Sequence, residues 1–372
     1  MAGAAGPNTA EAGLVFGYDT GNIDTCFYGE PTINEANTDY LRTIQFHNQG
    51  GYNNAGTTAD APERGPGWKK IMITDRGTNF RIAQFPYISQ NYGITKVYSV
   101  EYDFGNTSGY FIYGDGSSGF GVLQDTGTRV SARFTPPSAG SWAEALFLGN
   151  NTPASGINDT IYYRNYQVEI NTHPTQFTPG TRSATQAMIP FISNSTLDLD
   201  FVSFNSNAEM IFDGTNDYLD TGKTAAQLGI YDASYTAECF CYPTVLSSDR
   251  TMFGTDQTVF RQGLHLTFRG NVIYMGHYGS DYSAGTVTIN NWYHIVFRYN
   301  AATNTASIFK NGVLQGSGTI GSFIGTTTIF TGREFGAGNF AGYIPIAKIY
   351  NRALTDLEVA QNFQANRYRF GI

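Results

Sequence analysis

Between Trp68 and Glu169 the chain is cut into strand-length pieces: WKKIMITD, NFRIAQFPYI, TKVYSVEYDF, GYFIYGDG, FGVLQD, TRVSARFTP, WAEALFLGN and DTIYYRNYQVEI, set apart by clusters of Gly, Asn, Pro or Asp. A turn signal roughly every ten residues is the spacing of an antiparallel sandwich or jelly roll. Composition agrees: 43 glycines, 15% aromatic and only 14% charged residues suit many turns and strands and few surface helices.

At 372 residues the chain is longer than one ordinary sandwich, and the pattern predicts two antiparallel β-sandwich domains behind an arm. Residues 1–45 hold one short apolar strand, GLVFGYDTGN, then a polar, aromatic-spotted stretch without sustained periodicity. They are expected to form an extended N-terminal attachment arm that takes its order from packing on something else. Residues 46–185 are expected to be the jelly roll. The low-periodicity stretch NTHPTQFTPGTRSATQAMIPFISNS contains the boundary, with residues 186–199 as linker and residues 200–372 as the second sandwich.

The second sandwich carries the sharper local signals. AEMIFDGTNDYLDTG reads as two strands around a turn at Asp213-Gly214, and YTAECFCYPTV as one clear strand. In NWYHIVFRYN, Tyr293, Ile295, Phe297 and Tyr299 make one apolar face, while Trp292, His294, Val296 and Arg298 make a mixed one. Asn311-Gly312 marks a tight hairpin, and Pro345 predicts an edge strand or a bulge. Thr355 and Glu358 form a capping box, flanked by Leu354 and Val359 as a hydrophobic staple. They start a short C-terminal helix of about ten residues.

A net charge of −8 and a pI near 5.1 argue against nucleic acid or an anionic membrane as the main partner. Cys239 and Cys241 flank one residue of a strand and point the same way, so with Cys26 they make an odd set on which stability does not rest. The opening MAGAAGPNTAEAG lacks the basic and apolar regions of a signal peptide. No run of about 18 apolar residues occurs, so no membrane insertion is expected.

FDGTNDYLDTG, NWYHIVFRYN, ASIFKNGVLQG and FAGYIPIAKIYNRALTDLEVAQNFQANRYRFG, in that order, resemble the laminin-G-like, concanavalin-A-like sandwich domains of tailed-bacteriophage surface proteins. GLVFGYDTGN with CFYGEPTIN, the strand-rich centre, and IYYRNYQVEINTHPTQFTPGTRS resemble the other module of those proteins, a jelly roll similar to carbohydrate-binding modules. The resemblance implies an all-β, non-enzymatic virion structural protein, extracellular and displayed on the particle surface as a capsid decoration or fibre. It further implies attachment to other virion proteins through the arm, homo-oligomerisation with a trimer favoured, and weak binding of a host glycan that aids adsorption. The alternative it implies is a tail or baseplate adhesin devoted to host surface polysaccharide, with a polysaccharide-degrading enzyme as the third reading.

Chemistry-bearing patterns are sparse. GDGSSG, residues 114–119, fits the G-x-G-x-x-G phosphate pattern, but a strand follows where a helix N-terminus is needed, so a glycine-rich hairpin loop is expected. EYDFGN, residues 101–106, comes nearest the paired-carboxylate arrangement of glucanases, with Asn106 in place of the second glutamate, and no catalytic residue is expected. His47, His173, His265, His277 and His294 show no zinc spacing and read as sheet-surface or loop residues. Calcium is the one cofactor with a candidate site: Asp213, Asp217 and Asp220 crowd one turn and strand, although Asp213-Gly214 also suits a tight turn without metal. A sugar would stack on rings at loop-rich ends, for which Trp142, Tyr113, Phe120, Tyr278 and Tyr282 are the candidates.

Overall fold

The computed structural model describes residues 9–23, 25–36, 45–48, 51–52, 56–74, 81–85, 88–90, 92–105, 110–114, 121–136, 142–144, 146–150, 159–192, 197–205, 207, 209–336 and 338–372. For residues 45–48, 51–52, 81–84, 88–90, 110–111, 113–114, 121–123, 142–144 and 147–150 it describes the backbone alone. Two compact units emerge: Pro31–Arg182, and the residues up to Glu30 together with Ser183–Ile372.

This division differs from the expected one at both ends of the first unit. Leu14–Asp19 is a strand paired antiparallel with Ala341–Tyr350, Phe16 opposite Ile349 and Tyr18 opposite Ala347. Phe16 and Tyr18 are fully buried in the core of the C-terminal unit, where the Tyr18 hydroxyl donates to the Ile344 carbonyl at 3.1 Å. Cys26 and Phe27 enter the same core beside Ala187 and Met188, which brings part of the expected linker in as well. The segment read as an arm has too few apolar positions for a core of its own. Its described residues up to Glu30 complete a core whose other parts lie at the far end of the chain.

The C-terminal unit is an antiparallel sandwich. One sheet runs Ser203–Phe204, Met210–Asp213, Ala341–Tyr350, Tyr235–Pro243, Tyr293–Asn300, Thr305–Lys310, Val313–Thr319, with Leu14–Asp19 also paired to Ala341–Tyr350. The other runs Asp198–Asp200, Tyr218–Thr224, Thr328–Thr331, Asp249–Gly254, Leu264–Arg269, Val272–His277, Asp281–Thr286. Alternation decides the faces: Ile295, Phe297 and Tyr299 go to the core, as do the free thiols Cys239 and Cys241. Pro345 sits mid-sheet, not at an edge. A register shift opposite Phe240–Tyr242 supplies the bulge it needs, and its carbonyl accepts the Thr20 amide at 2.9 Å. Asn311 and Gly312, with φ of 52° and 77°, form the hairpin turn that the strand twist favours.

The helix Asp356–Phe370 covers the outer face of the first sheet, and the capping box closes as expected, Thr355 Oγ1 accepting from the Glu358 amide and Glu358 Oε2 from the Thr355 amide. At 15 residues it outruns the expected length, because its last residues have something to bury against. Phe370 stacks 4.9 Å from Phe240 and 4.6 Å from Trp292. Beneath the helix, Asn362 Nδ2 donates to Glu238 Oε2 at 2.9 Å and to the Tyr350 hydroxyl at 3.0 Å, while Asn362 Oδ1 accepts the Ala10 amide at 2.7 Å. His294 Nε2 stands 3.4 Å from Glu238 Oε2, and Lys348 Nζ 3.6 Å from Oε1. Burial alone would push Glu238 up; the His294 hydrogen bond and the Lys348 charge more than offset it and bring the carboxyl down to about 2.

The unit Pro31–Arg182 holds a six-stranded antiparallel sheet, in the order Gly121–Asp125, Arg129–Phe134, Lys96–Asp103, Thr160–Glu169, Lys69–Ile73, Gly56–Asp60, and a five-stranded sheet that includes Tyr110–Gly114. Tyr98, Val100, Val130, Tyr163, Tyr166 and Val168 form its core with Phe85. Tyr110–Gly114 and Gly121–Asp125 belong to different sheets, so the glycine-rich segment joins two sheets instead of closing a hairpin; residues 115–120 lie outside the described residues. The QVE and PTQFTPGTR segments form one buried polar knot. Glu169 Oε1 accepts from Gln167 Nε2 at 2.7 Å and the Thr175 amide at 2.8 Å, and Oε2 accepts the hydroxyls of Thr32 and Thr175, both at 2.7 Å. Thr32–Ile33 pairs with Thr181–Arg182, so the chain enters and leaves this unit side by side.

A chain in which a short Gly-Ser linker replaces residues 31–182 should therefore still unfold as one cooperative sandwich, whereas a chain beginning at Ser183 should melt far lower or fail to fold. Equal thermal midpoints for the two would overturn the placement of residues 9–30. Asn362→Ala, which strips partners from Glu238, Tyr350 and Ala10, should cost about 1–3 kcal/mol in denaturant unfolding. Glu238 is held below its ordinary value of 4.5, so its contribution is complete above that pH and is lost as pH falls toward about 2. An acid limb of the stability curve unchanged by Glu238→Gln would contradict this.

Candidate functional site

On the seven-stranded sheet, His265, Thr267 and Arg269 alternate with the core residues Leu264, Leu266 and Phe268 and so face outward. The connection after Thr328–Thr331 folds back across that outer face: the Phe335 amide donates to the Thr255 carbonyl at 3.0 Å, and the Thr251 amide to the Gly338 carbonyl at 3.0 Å. This lays Glu334 over Thr251 and Phe335 against His265, 5.8 Å between ring centroids. Two glycines make the fit possible. A Cβ at Gly254 would lie 2.7 Å from Glu334 Cβ, and one at Gly276 would lie 1.8 Å from His265 Nε2.

Backbone strain concentrates at this place. Arg261, Tyr278 and Phe335 adopt φ of 62°, 31° and 47°, a region that costs a bulky residue roughly 1–3 kcal/mol each. They touch one another: the Arg261 amide donates to the Tyr278 carbonyl at 3.0 Å, and the Tyr278 ring meets Phe335 edge-on at 5.4 Å. Phe260, 62% exposed, adds a third ring by lying against Gly279.

Beside Phe335 opens a cavity of ≈ 430 Å³, lined by Ser248, Asp249, Glu334, Phe335 and Gly338. Arg269 donates Nε and Nη2 to Asp249 at 3.0 and 3.2 Å. Arg333 reaches Asp256 at 2.6 Å and lies over the Tyr218 ring at 4.3 Å. His265 Nε2 is 2.9 Å from Asp281 Oδ1. Glu334 is only 1% exposed, yet its Oε2 has no hydrogen-bond partner, nor has His265 Nδ1. Each such buried orphan costs roughly 1–3 kcal/mol. Burial first, with the Asp249 carboxylate adding to it against the Thr251 hydroxyl and Arg269, pushes the Glu334 carboxyl up to about 8. The strained Phe335 and the unmet carboxyl of Glu334 line one cavity, which marks a place shaped for something other than stability.

Residues 213–360 match the laminin G family model of the concanavalin A-like lectin/glucanases superfamily. They form a concanavalin A-like domain. To the matched stretch the structure adds Leu14–Asp19, Asp198–Asp200 and the end of the C-terminal helix. No curated protein sequence matches the chain. Among solved structures it is similar to the CBM40 of the Ruminococcus gnavus IT-sialidase bound to α2,3 sialyllactose, with 16% identity over 41% of this chain and 94% of that one and a TM-score of 0.35. It is similar to Domain 4 of AbnA, a GH43 extracellular arabinanase from Geobacillus stearothermophilus in complex with arabinotriose, at 19% identity, 46% and 82% coverage and a TM-score of 0.34. The heptameric SAP-like pentraxin of Limulus polyphemus gives 14% identity, 41% and 79% coverage and a TM-score of 0.33.

Of the residues expected to meet a sugar, Tyr278 is 38% exposed and meets the Phe335 ring edge-on, outside the residues that line the cavity. Tyr282 is spent on packing: its ring fills the space left by Gly316 and Gly318, where a Cβ would come within 2.5 and 2.1 Å of it. Trp142 and Tyr113 lie in strands Trp142–Glu144 and Tyr110–Gly114 of the other unit, their side chains outside the described residues, as is all of Phe120. The three aspartates of the suggested calcium site serve backbone turns. Asp217 Oδ2 accepts the Asp213 amide at 2.6 Å, Asp213 Oδ1 the Thr215 amide at 2.6 Å, and Asp220 Oδ1 the Gly222 amide at 2.7 Å. Among the described residues no three His, Cys, Asp or Glu side chains gather as a metal site.

His265, His277 and His294 are buried, not surface or loop residues. His277 Nδ1 lies 2.6 Å from the Gly321 carbonyl and Nε2 2.8 Å from the Tyr235 hydroxyl; burial lowers it to about 4, so it stays neutral. Glu334, Phe335 and Asp249 escaped sequence reasoning. The one hint was glycine density around REFGAG, which announces a tight chain path without naming the residue it frames.

The sign of the Glu334 effect follows from its raised value. Between 4.5 and about 8 the folded chain holds a proton that the unfolded chain has released, so stability falls as pH rises through that window and stays level above it. Glu334→Gln should remove the slope, its advantage over the parent growing by up to roughly 1.4 kcal/mol per pH unit across the window. Parallel melting curves for parent and variant from pH 4.5 to 9 would refute the assignment.

Proposed function

We propose that the protein is a non-enzymatic structural protein displayed on the surface of a bacteriophage particle, and that its concanavalin A-like domain binds a glycan in the Glu334 cleft. The observation that carries the binding reading is the convergence of an unsatisfied buried carboxyl, a half-buried Phe335 ring held in strained backbone, and a cavity of ligand size. Rings give a pyranose its apolar platform and a carboxyl its hydroxyl partner. The family of this domain is named for lectins and glucanases, which fits the same chemistry.

Binding is favoured over hydrolysis by the state of the second acid. Glycoside cleavage uses two carboxyl groups about 5–9.5 Å apart on either side of the bond. Here Asp249 is taken up by Arg269 and stands close enough to Glu334 to raise it, so the described residues that line the cavity include no second free carboxyl. Display on a particle is supported by the ordered resemblance of both halves of the chain to phage surface modules. Contacts with other virion proteins, a trimeric state and an extracellular setting belong to that reading. A tail or baseplate location would make adhesion the main role.

Two measurements test it. Cryo-electron microscopy of particles from the source phage should locate the chain on the head or tail exterior, and its absence from particles would sink the virion reading. A broad panel of host-derived polysaccharides should yield millimolar or tighter binding that Phe335→Ala weakens by roughly tenfold or more. A blank panel would sink the adsorption role.

A further inference from the structure

Resting on the glycan-binding reading, we propose that the cleft selects a neutral, hydroxyl-rich ring, a hexose residue without carboxylate or sulfate, and rejects anionic sugars. The charged groups around the cavity are already committed to one another. Arg269, on the sheet floor, gives two hydrogen bonds to Asp249 and lies 4.7 Å from the Tyr274 ring. Arg333, on the folded-back loop, is held by Asp256 and sandwiched with Tyr218 and Phe330, at 4.3 and 5.1 Å from their centroids. His265 faces Asp281. An incoming carboxylate would thus find the charges of Arg269 and Arg333 already met, by Asp249 and Asp256. It would also meet the Asp249 carboxylate at close range, and like charges in a poorly solvated cavity repel strongly.

What remains uncommitted is one buried, unpartnered carboxyl oxygen on Glu334, with the exposed Ser248 and the half-buried Phe335 ring lining the same cavity. A protonated carboxyl both donates and accepts, which suits a sugar hydroxyl, while the ring suits the C–H face of a hexose. The environment keeps Glu334 protonated at neutral pH, since burial and Asp249 raise it to about 8. No counter-ion is therefore needed for an uncharged ligand. An anionic ligand would need a positive partner, and none of the described residues that line the cavity is a cation.

The test is calorimetric titration of the full chain at pH 7 with two matched sets, one of lactose, methyl mannoside and N-acetylglucosamine, the other of glucuronate, sialyllactose and a sulfated galactose. At least one neutral ligand should bind, by about tenfold or more over every anionic one. Ser248→Trp, an exposed position whose indole would fill the cavity, should abolish binding. Parent affinity should fall by about tenfold from pH 7 to about pH 9, and Glu334→Gln, whatever its affinity at pH 7, should show no such fall. Binding confined to the anionic set and lost in Ser248→Trp would overturn the neutral class and leave the site standing. Binding indifferent to Ser248→Trp and to Phe335→Ala would overturn the site itself, and no binding in either set would overturn both.

Discussion

The pairing of Leu14–Asp19 with Ala341–Tyr350 joins the two ends of the chain, and the C-terminal unit is organised around it. Ala341–Tyr350 is the spine of its sheet, bonded on one side to Tyr235–Pro243 and on the other to Met210–Asp213 and then Leu14–Asp19. Removing the N-terminal strand would leave residues 346–350 without partners on that second flank and empty the core of Phe16 and Tyr18. Losses of large buried aromatics cost about 3–5 kcal/mol each. The same segment then reaches the C-terminal helix, since the Ala10 amide ends on Asn362. Strand, helix and sheet are thus fastened at one place.

Two buried glutamates in this unit show how environment divides one residue type into two uses. Glu238 is fully enclosed but meets His294, Lys348 and Asn362, and its carboxyl is held at about 2. Glu334 is enclosed as completely and keeps an oxygen without a partner, and its carboxyl stands at about 8. The first is a fastening, with its charge met on several sides. The second holds hydrogen-bonding capacity in reserve, which is worth keeping only where a visitor can use it.

Local signals were legible in the sequence. The strands of the second sandwich, the apolar face of Tyr293–Asn300, the Asn311-Gly312 turn and the Thr355–Glu358 box are each set by residues within a few positions of one another, and each is where the pattern put it, whereas NFRIAQFPYI and WAEALFLGN each divide between two sheets. What escaped depends on distant partners. Periodicity cannot show that Phe16 and Tyr18 belong with Ile344 and Ala347, nor that the helix would run on to stack Phe370 on Phe240. Pro345 was half legible: the bulge was foreseen, and its central position was not, because a register shift elsewhere absorbs the missing donor. Glu334 looked like any loop acid, since burial, strain and the nearness of Asp249 exist only once three separate connections have come together.

The side-by-side strands Thr32–Ile33 and Thr181–Arg182 make Pro31–Arg182 a self-contained insert, and this has a consequence for how the chain is made. The insert has all its parts within one stretch and can fold while synthesis continues. Its host cannot, since the Tyr18 hydroxyl must wait for a carbonyl 326 residues later. At bacterial or slower elongation rates, that interval is on the order of tens of seconds. Through it Leu14–Asp19 stands exposed with its aromatic residues unburied, so that strand is where the newborn chain needs shelter longest.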